Sequence, residues 1–165
     1  MRRLCASPLL AAALAVTAVF GGFAAFAEPA AAQDIAFRGF GVRAGAGFSP
    51  GQFVGGFQLN LGEFVPRLRF QPDLEVGAGG GQTSVDVTVP VYYRIPLDAR
   101  TTFYAGGGIT LGSIDQGHHR GSEFLVEPAA AVGLEWPAAS GQVFGQITAT
   151  GGDFNRLKLV AGWNF

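Results

Sequence analysis

The sequence is poor in cysteine, in charged residues and in long apolar runs. Its single cysteine, Cys5, lies in the N-terminal segment, so the rest of the chain can form no disulfide, thiol nucleophile or cysteine-bound metal site. Eleven basic and twelve acidic residues give a net charge of −1, which argues against nucleic-acid binding through a basic surface. After the N-terminal segment there is no run of about 18 apolar residues, so no helical membrane span is predicted.

The N-terminus has the organisation of a cleaved secretory signal. A basic start is followed by an apolar stretch at residues 9–20 and then by two small-residue cleavage sites. We therefore expect residues 1–32 to be a signal peptide that is removed after Ala32, with cleavage after Ala27 as the alternative. Residues 33–165 are long enough for one domain.

Glycine and phenylalanine are abundant, with 26 and 15 residues, and they occur in segments that alternate with period two. Such alternation predicts β-strands with one apolar and one polar face. The longest connection is predicted at residues 112–122, a short turn is predicted at residues 62–66, and no helical pattern occurs after the signal segment. Eight alternating segments can be recognised, at about residues 40–48, 53–61, 67–76, 85–95, 103–111, 124–136, 142–149 and 157–165.

The last segment has an apolar face that ends on two aromatic residues, Trp163 and Phe165. A soluble protein would need a further layer to cover such a face, whereas a membrane-embedded barrel exposes it to lipid. If the chain spans a membrane without a helical span, it must do so as a closed barrel, because only helices and barrels satisfy their backbone groups in lipid.

The alternating segments, the sequence LRFQPDLEVG at residues 68–77, YAGGG at residues 104–108 and the aromatic end resemble the small outer-membrane β-barrel domain family of Gram-negative bacteria. The ending is similar to the C-terminal signature of these barrels, with Lys158 at its polar position, although Val160 stands where glycine is usual. The resemblance implies an all-β fold, an eight-stranded antiparallel up-and-down transmembrane barrel in which the last strand pairs with the first.

The same resemblance implies a location and partners. We expect the protein in the cell outer membrane, in contact with outer-membrane lipid and lipopolysaccharide. We also expect the barrel-assembly machinery to recognise the C-terminal strand. A monomer without a nucleic-acid partner is predicted.

Charged residues fix which face of each segment points inward. A Lys or Arg that faces lipid costs about 2–4 kcal/mol at the bilayer midplane. Because eight strands leave an interior about wide enough for side chains to fill, we favour a neutralised salt-bridge network over a polar pore. The residues predicted to form this network are Arg43, Arg67, Arg69, Asp73, Glu75, Asp86, Arg94, Glu127 and Glu135.

Large aromatic residues fall near the ends of the segments and are predicted to form two girdles that bound an apolar band. The girdle on the side of the chain termini is expected to contain Phe40, Phe70, Tyr93, Phe103, Trp136, Trp163 and Phe165. The opposite girdle is expected to contain Phe48, Phe53 and Phe124. Local gaps in the hydrogen-bond ladder are expected where proline interrupts the segments, at Pro72, Pro90 and Pro128.

The function predicted is a structural, non-catalytic outer-membrane barrel that contributes to envelope integrity or passes very small solutes. No catalytic, cofactor-binding or metal-binding residue is predicted. One alternative is an enzyme that modifies lipid A, because His118 and Ser122 could mimic the His–Ser pair of an outer-membrane lipid A deacylase; His118, His119 and Asp115 could also hold a metal. Neither spacing is specific. The other alternative is a soluble periplasmic, lipocalin-like barrel that holds an apolar ligand and turns its apolar face inward.

Overall fold

Period-two alternation is realised as ten strands in the computed structural model, which describes residues 35–115, 122–152 and 156–165. The predicted signal peptide, its cleavage sites and Cys5 lie outside these residues. Among the described residues no helix is long and apolar enough to cross a membrane. The strands are β1 (Gly39–Phe48), β2 (Gln52–Asn60), β3 (Glu63–Val65), β4 (Leu68–Phe70), β5 (Asp73–Gly79), β6 (Gln82–Pro96), β7 (Thr102–Asp115), β8 (Ser122–Ala138), β9 (Gly141–Thr150) and β10 (Leu157–Asn164).

Eight of these strands form a closed antiparallel barrel in the order β1, β2, β5, β6, β7, β8, β9 and β10. The ring closes because β10 pairs with β1, with Leu157 opposite Phe48 and Ala161 opposite Ala44. The predicted all-β fold, the eight-stranded up-and-down barrel and the closing pair are therefore confirmed. A closed ring leaves no free edge, which is the condition for crossing lipid with strands.

The third predicted segment, residues 67–76, is not a single strand. It divides at Gln71 and Pro72 into β4 and β5, and the predicted turn at residues 62–66 contains β3. Pro72 has no N–H to donate, and its carbonyl accepts a bond of 2.8 Å from the N–H of Leu59. The β3–β4 hairpin continues beyond this break and pairs with β6 through Leu68 and Tyr93. It lies at the end of the barrel where β1 begins and β10 ends, which we call the terminal end.

The other two prolines lie inside strands without shifting the register. Pro90 of β6 stands opposite Gly108, and Pro128 of β8 stands opposite Ile109. The carbonyl of Pro128 accepts a bond of 2.9 Å from the N–H of Gly151. No residue is inserted at either proline, as the in-phase alternation of the sequence predicts.

The connection between β7 and β8 is shorter than residues 112–122. Strand β7 continues to Asp115, which pairs with Ser122 at the start of β8. The alternation continues through residues 112–115, and the buried Ile114 keeps the inward face occupied. His118 and His119 lie in residues 116–121, outside the described part of the chain.

Candidate functional site

The middle of the barrel interior contains five buried charged residues, which we call the central cluster. Glu75 is contacted by two cations: the Nε of Arg43 lies 2.8 Å from its Oε1, and the Nζ of Lys158 contacts its Oε2. Arg43 also lies 2.9 Å from Asp73, and Lys158 lies 3.4 Å from Asp86. All five side chains are at most 5% exposed. The cluster joins β1, β5, β6 and β10 across the interior.

A second group of ion pairs, which we call the terminal cluster, lies toward the terminal end. Arg69 contacts Glu135, whose other oxygen lies 3.1 Å from Arg94. Arg94 also lies 3.2 Å from Glu63 of β3. Arg69 and Glu135 are buried, whereas Arg94 and Glu63 are about a quarter exposed, at 24% and 26%. This cluster connects the β3–β4 hairpin to β6 and β8.

Two charged residues of the predicted network lie outside both clusters. Glu127 is buried on β8, with Thr110 opposite it. Arg67 does not face the interior. It is exposed in the turn between β3 and β4, with a positive φ of 70°, and its backbone N–H donates to Glu63 over 2.9 Å. The reason is that the predicted third segment divides into two strands, which leaves residue 67 in a turn. The remaining predicted residues lie in the clusters: Arg43, Asp73, Glu75 and Asp86 in the central one, and Arg69, Arg94 and Glu135 in the terminal one.

Sequence reasoning missed two members of the clusters, Lys158 and Glu63. The alternation places Lys158 on the polar face of the last segment, and because this face is the inward one, the signal for Lys158 is present in the sequence. Glu63 falls in the predicted turn at residues 62–66. No period-two pattern could have found it, because β3 is only 3 residues long.

Neutral polar side chains fill the space between the clusters. Gln58 donates to Asn164 over 2.5 Å and accepts from Arg43 at 3.3 Å. Tyr104 donates to Gln146 over 3.0 Å. Buried polar groups that are bonded in this way stabilise one arrangement of the interior, because any other arrangement leaves a donor or acceptor unsatisfied.

Large and small residues alternate across the inward face of the ring. A Cβ atom at Gly162 would lie 2.4 Å from the ring of Phe144, and one at Gly133 would lie 2.4 Å from the ring of Tyr104. Phe144, which interrupts the polar face of β9 in the sequence, therefore occupies the space that Gly162 leaves free. Val160 is buried opposite Gly45.

A cavity of about 10 Å³ remains beside the central cluster, lined in part by Arg43, Asp73, Lys158 and Tyr92. This volume is about what one water molecule needs. At the level of the central cluster, the described part of the interior is thus occupied largely by buried charged and polar side chains.

The outer surface of the barrel is apolar around its whole circumference. Every one of the eight ring strands exposes at least one large apolar side chain. These side chains form what we call the apolar belt: Val42, Phe57, Leu59, Leu74, Val76, Val85, Val87, Val89, Ile95, Ile109, Leu111, Val126, Val132, Ile147, Leu157 and Leu159.

The aromatic residues of the predicted girdles face outward at the strand ends. At the terminal end, Phe40 stacks on Phe165 with 5.0 Å between ring centroids, and Trp163 lies 6.3 Å from Phe165. Phe48 and Phe53 lie on either side of the turn between β1 and β2, at the opposite end. The exposed members are Phe40, Phe48, Phe53, Tyr93, Phe124, Trp136 and Phe165, and the half-buried ones are Phe70, Phe103 and Trp163.

The turn between β6 and β7 contains an exposed carboxylate that is fixed by its own turn. The backbone N–H groups of Arg100 and Thr101 donate to the Oδ1 of Asp98 over 2.7 and 2.8 Å. These hydrogen bonds, the one from Arg100 first, hold the pKa of Asp98 below its ordinary value. Asp98 therefore stays ionised at neutral pH.

No His, Cys, Asp and Glu side chains come together as a possible metal site within residues 35–115, 122–152 and 156–165. Two of the residues that the sequence suggests for catalysis or metal binding, Asp115 and Ser122, lie in the described part of the chain and pair across β7 and β8. Their histidine partners lie outside the described residues.

Comparison with solved structures finds barrels of the same architecture. Neisserial surface protein A, in its crystal structure, is similar with a TM-score of 0.58 and 12% identity, over 76% of this chain and 92% of that one. A de novo designed transmembrane β-barrel has a TM-score of 0.49 and 14% identity, over 81% of this chain and 100% of that one. The outer-membrane protein Ail of Yersinia pestis, in a phospholipid bilayer nanodisc, has a TM-score of 0.47 and 13% identity, over 77% and 99%.

The similarity to Neisserial surface protein A shows that the two chains share the barrel fold. It agrees with the barrel fold that the sequence analysis predicts. No family model and no curated protein sequence matches the chain.

Proposed function

We propose that the protein is an integral outer-membrane β-barrel with a closed interior and a structural, non-catalytic role in the cell envelope. The observation that carries this proposal is the apolar belt, which continues across all eight ring strands and is bounded by aromatic residues at both ends. Soluble monomers seldom expose apolar patches larger than about 300–600 Å². A belt that encircles a barrel is instead the surface that a bilayer solvates.

The distribution of polar residues argues against the soluble, ligand-binding alternative. A lipocalin-like barrel needs an apolar interior, but the interior here contains buried ion pairs such as Arg43 with Asp73 and Lys158 with Glu75. An apolar ligand could not replace the partners of these charges. The inverted arrangement is therefore not the one that this chain adopts.

The closed interior favours a structural role over solute passage. Buried ion pairs occupy the interior at two levels, in the central and in the terminal cluster, and their side chains take up space that a solute would need. We therefore propose that the barrel contributes to envelope integrity and conducts no solute. Strand β10, which closes the ring, is the element that we propose for recognition by the barrel-assembly machinery.

Cell fractionation combined with gel mobility before and after boiling tests the location. We expect the protein in the outer-membrane fraction, with a band that migrates differently once boiling unfolds the barrel. A band that is soluble without detergent would contradict the proposal. Planar-bilayer recordings test the closed interior separately: we expect no channel openings, and regular single-channel steps would refute a closed lumen while leaving the membrane location intact.

A further inference from the structure

Three arginines lie next to the aromatic girdle of the terminal end. Arg38 precedes Phe40 by two residues, and all three arginines are exposed. Arg67 precedes Phe70 by three residues, and Arg100 precedes Phe103 by three. We call Arg38, Arg67 and Arg100 the arginine rim.

The three arginines lie within three residues of the girdle, which is within the thickness of a lipid headgroup layer. At a rise of about 3.3 Å per residue and a strand tilt of about 35–45°, three residues span at most roughly 8 Å along the membrane normal, and less where the chain turns, as it does at Arg67 and Arg100. A bilayer of about 40–45 Å with a hydrocarbon core of about 30 Å has headgroup layers of roughly 5–8 Å. If the girdle marks the edge of the core, the arginine rim lies at the level of the lipid phosphates.

Backbone hydrogen bonds hold the three arginines in place while their side-chain charges stay available. The N–H of Arg38 donates to Asn60 over 2.8 Å, and the carbonyl of Arg67 accepts from Arg94 over 2.8 Å. The N–H of Arg100 donates to Asp98. In the described part of the chain, none of the three guanidinium groups forms a salt bridge.

The exposed charged residues of the terminal-end rim are three arginines and one acid, Asp98, so its net charge is +2. The other end differs. Its exposed charged residues among those described are Asp115, Glu123 and Arg156, which gives −1. The residues just outside Phe48, Phe53 and Phe124 there are not basic. Among the residues that the structure describes, the net basic charge is therefore a property of this rim.

We propose that the arginine rim binds the headgroups of anionic phospholipids in the leaflet that surrounds the terminal end. This inference rests on the proposed membrane location. A guanidinium group donates two parallel hydrogen bonds to a phosphate, and a net negative headgroup adds Coulomb attraction that a zwitterionic one lacks. The three arginines lie at three places along the rim, before β1, between β3 and β4, and between β6 and β7, so they bind lipids around part of the circumference.

The test compares unfolding in urea after the purified protein is inserted into two kinds of vesicle. One contains phosphatidylcholine alone, the other phosphatidylcholine with phosphatidylglycerol of the same acyl chains. Each basic residue near an anionic surface favours the bound state by roughly five-fold, so three should lower the unfolding equilibrium constant on the order of a hundred-fold at low salt. We expect this gain to shrink as salt is added, because salt screens exposed charges.

A triple variant, R38Q/R67Q/R100Q, isolates the arginine rim, and R156Q at the other end is its matched control. We expect the triple variant to fold in phosphatidylcholine as the parent does and to lose the gain in phosphatidylglycerol, whereas R156Q keeps it. An equal gain in the triple variant, or an equal loss in R156Q, would overturn the assignment to this rim.

Two further outcomes separate this inference from its alternatives. If inorganic phosphate at matched ionic strength stabilised the barrel in phosphatidylcholine as much as phosphatidylglycerol does, the rim would take free phosphate, and the headgroup proposal would be wrong. If the parent protein folded into neither kind of vesicle, the proposed function would fail, and this inference with it. Folding into both without any lipid preference would overturn this inference alone.

Discussion

Glu75 is a residue whose replacement should weaken the barrel clearly. It is the one carboxylate of the central cluster that contacts two cations, Arg43 and Lys158, and it is buried. Replacing it by Ala removes one contact from each cation, so that Arg43 keeps Asp73 at 2.9 Å and Lys158 keeps only Asp86 at 3.4 Å. Removing one partner of a buried ion pair costs about 3–5 kcal/mol, because the remaining charge stays desolvated.

The matched comparison is Lys158→Ala. In that variant Glu75 keeps Arg43 at 2.8 Å, but Asp86 loses the one salt bridge that it forms among the described residues, at 3.4 Å. Three buried carboxylates are then left with one cation, so we expect Lys158→Ala to cost at least as much as Glu75→Ala. An exposed acid near a strand end, Glu123, serves as the control, and its replacement by Ala should change stability by less than about 0.5 kcal/mol.

The assay is urea unfolding of the barrel in lipid vesicles, followed by the mobility shift on gels without boiling. A domain is stable by only about 5–15 kcal/mol, so the expected loss for Glu75→Ala is a large part of the total and moves the midpoint clearly. A midpoint for Lys158→Ala clearly above that of Glu75→Ala would refute the reasoning, because it would mean that the three carboxylates do not need the charge of Lys158. A double variant of both residues should cost less than the sum of the single ones, since the two replacements remove the same interaction.

Further predictions concern packing and the apolar belt. Gly162→Ala should destabilise the barrel, because its Cβ would meet the ring of Phe144 at 2.4 Å. Gly145→Ala on the neighbouring strand has open space around its Cβ and should be nearly neutral. Equal urea midpoints for the two variants would contradict the packing account. Val87→Arg, in the middle of the belt, should cost about 2–4 kcal/mol in lipid vesicles. Leu97→Arg, in the turn outside the belt, should cost little, and a similar loss for both would argue against a belt embedded in lipid.

The alternation in the sequence predicts the strands and the direction of most side chains, and the resemblance to small outer-membrane barrels implies that the strands close into a ring. Asp86 on β6 faces the interior and Val87 faces outward, as period two requires. The aromatic residues at the strand ends also face outward, as the alternation predicts. A one-residue error would have turned every charge of a strand toward lipid. Because a charged side chain that faces lipid is costly, the charged residues are reliable markers of the inward face.

The rest depended on contacts that the alternation does not encode. Arg67 fits the alternation of its segment in the sequence. The break at Pro72 and the short strand β3 nevertheless place it in an exposed turn. Lys158 stands on the correct face in the sequence, but its contact with Glu75 depends on the curvature of the ring, which brings β10 and β5 together across the interior. Side-chain contacts between strands that are not neighbours in the ring depend on how the ring closes, and no local sequence pattern predicts them.

Tryptophan fluorescence in vesicles of brominated lipid tests the central claim most directly. The chain has two tryptophans, Trp136 and Trp163, and both lie in the girdle at the terminal end. If the barrel is embedded in the bilayer through its apolar belt, lipids brominated near the headgroup end of the acyl chain should quench this fluorescence strongly. Lipids brominated near the chain ends should quench it less. Fluorescence that brominated lipids leave unchanged and that a water-soluble quencher such as acrylamide removes would contradict the account.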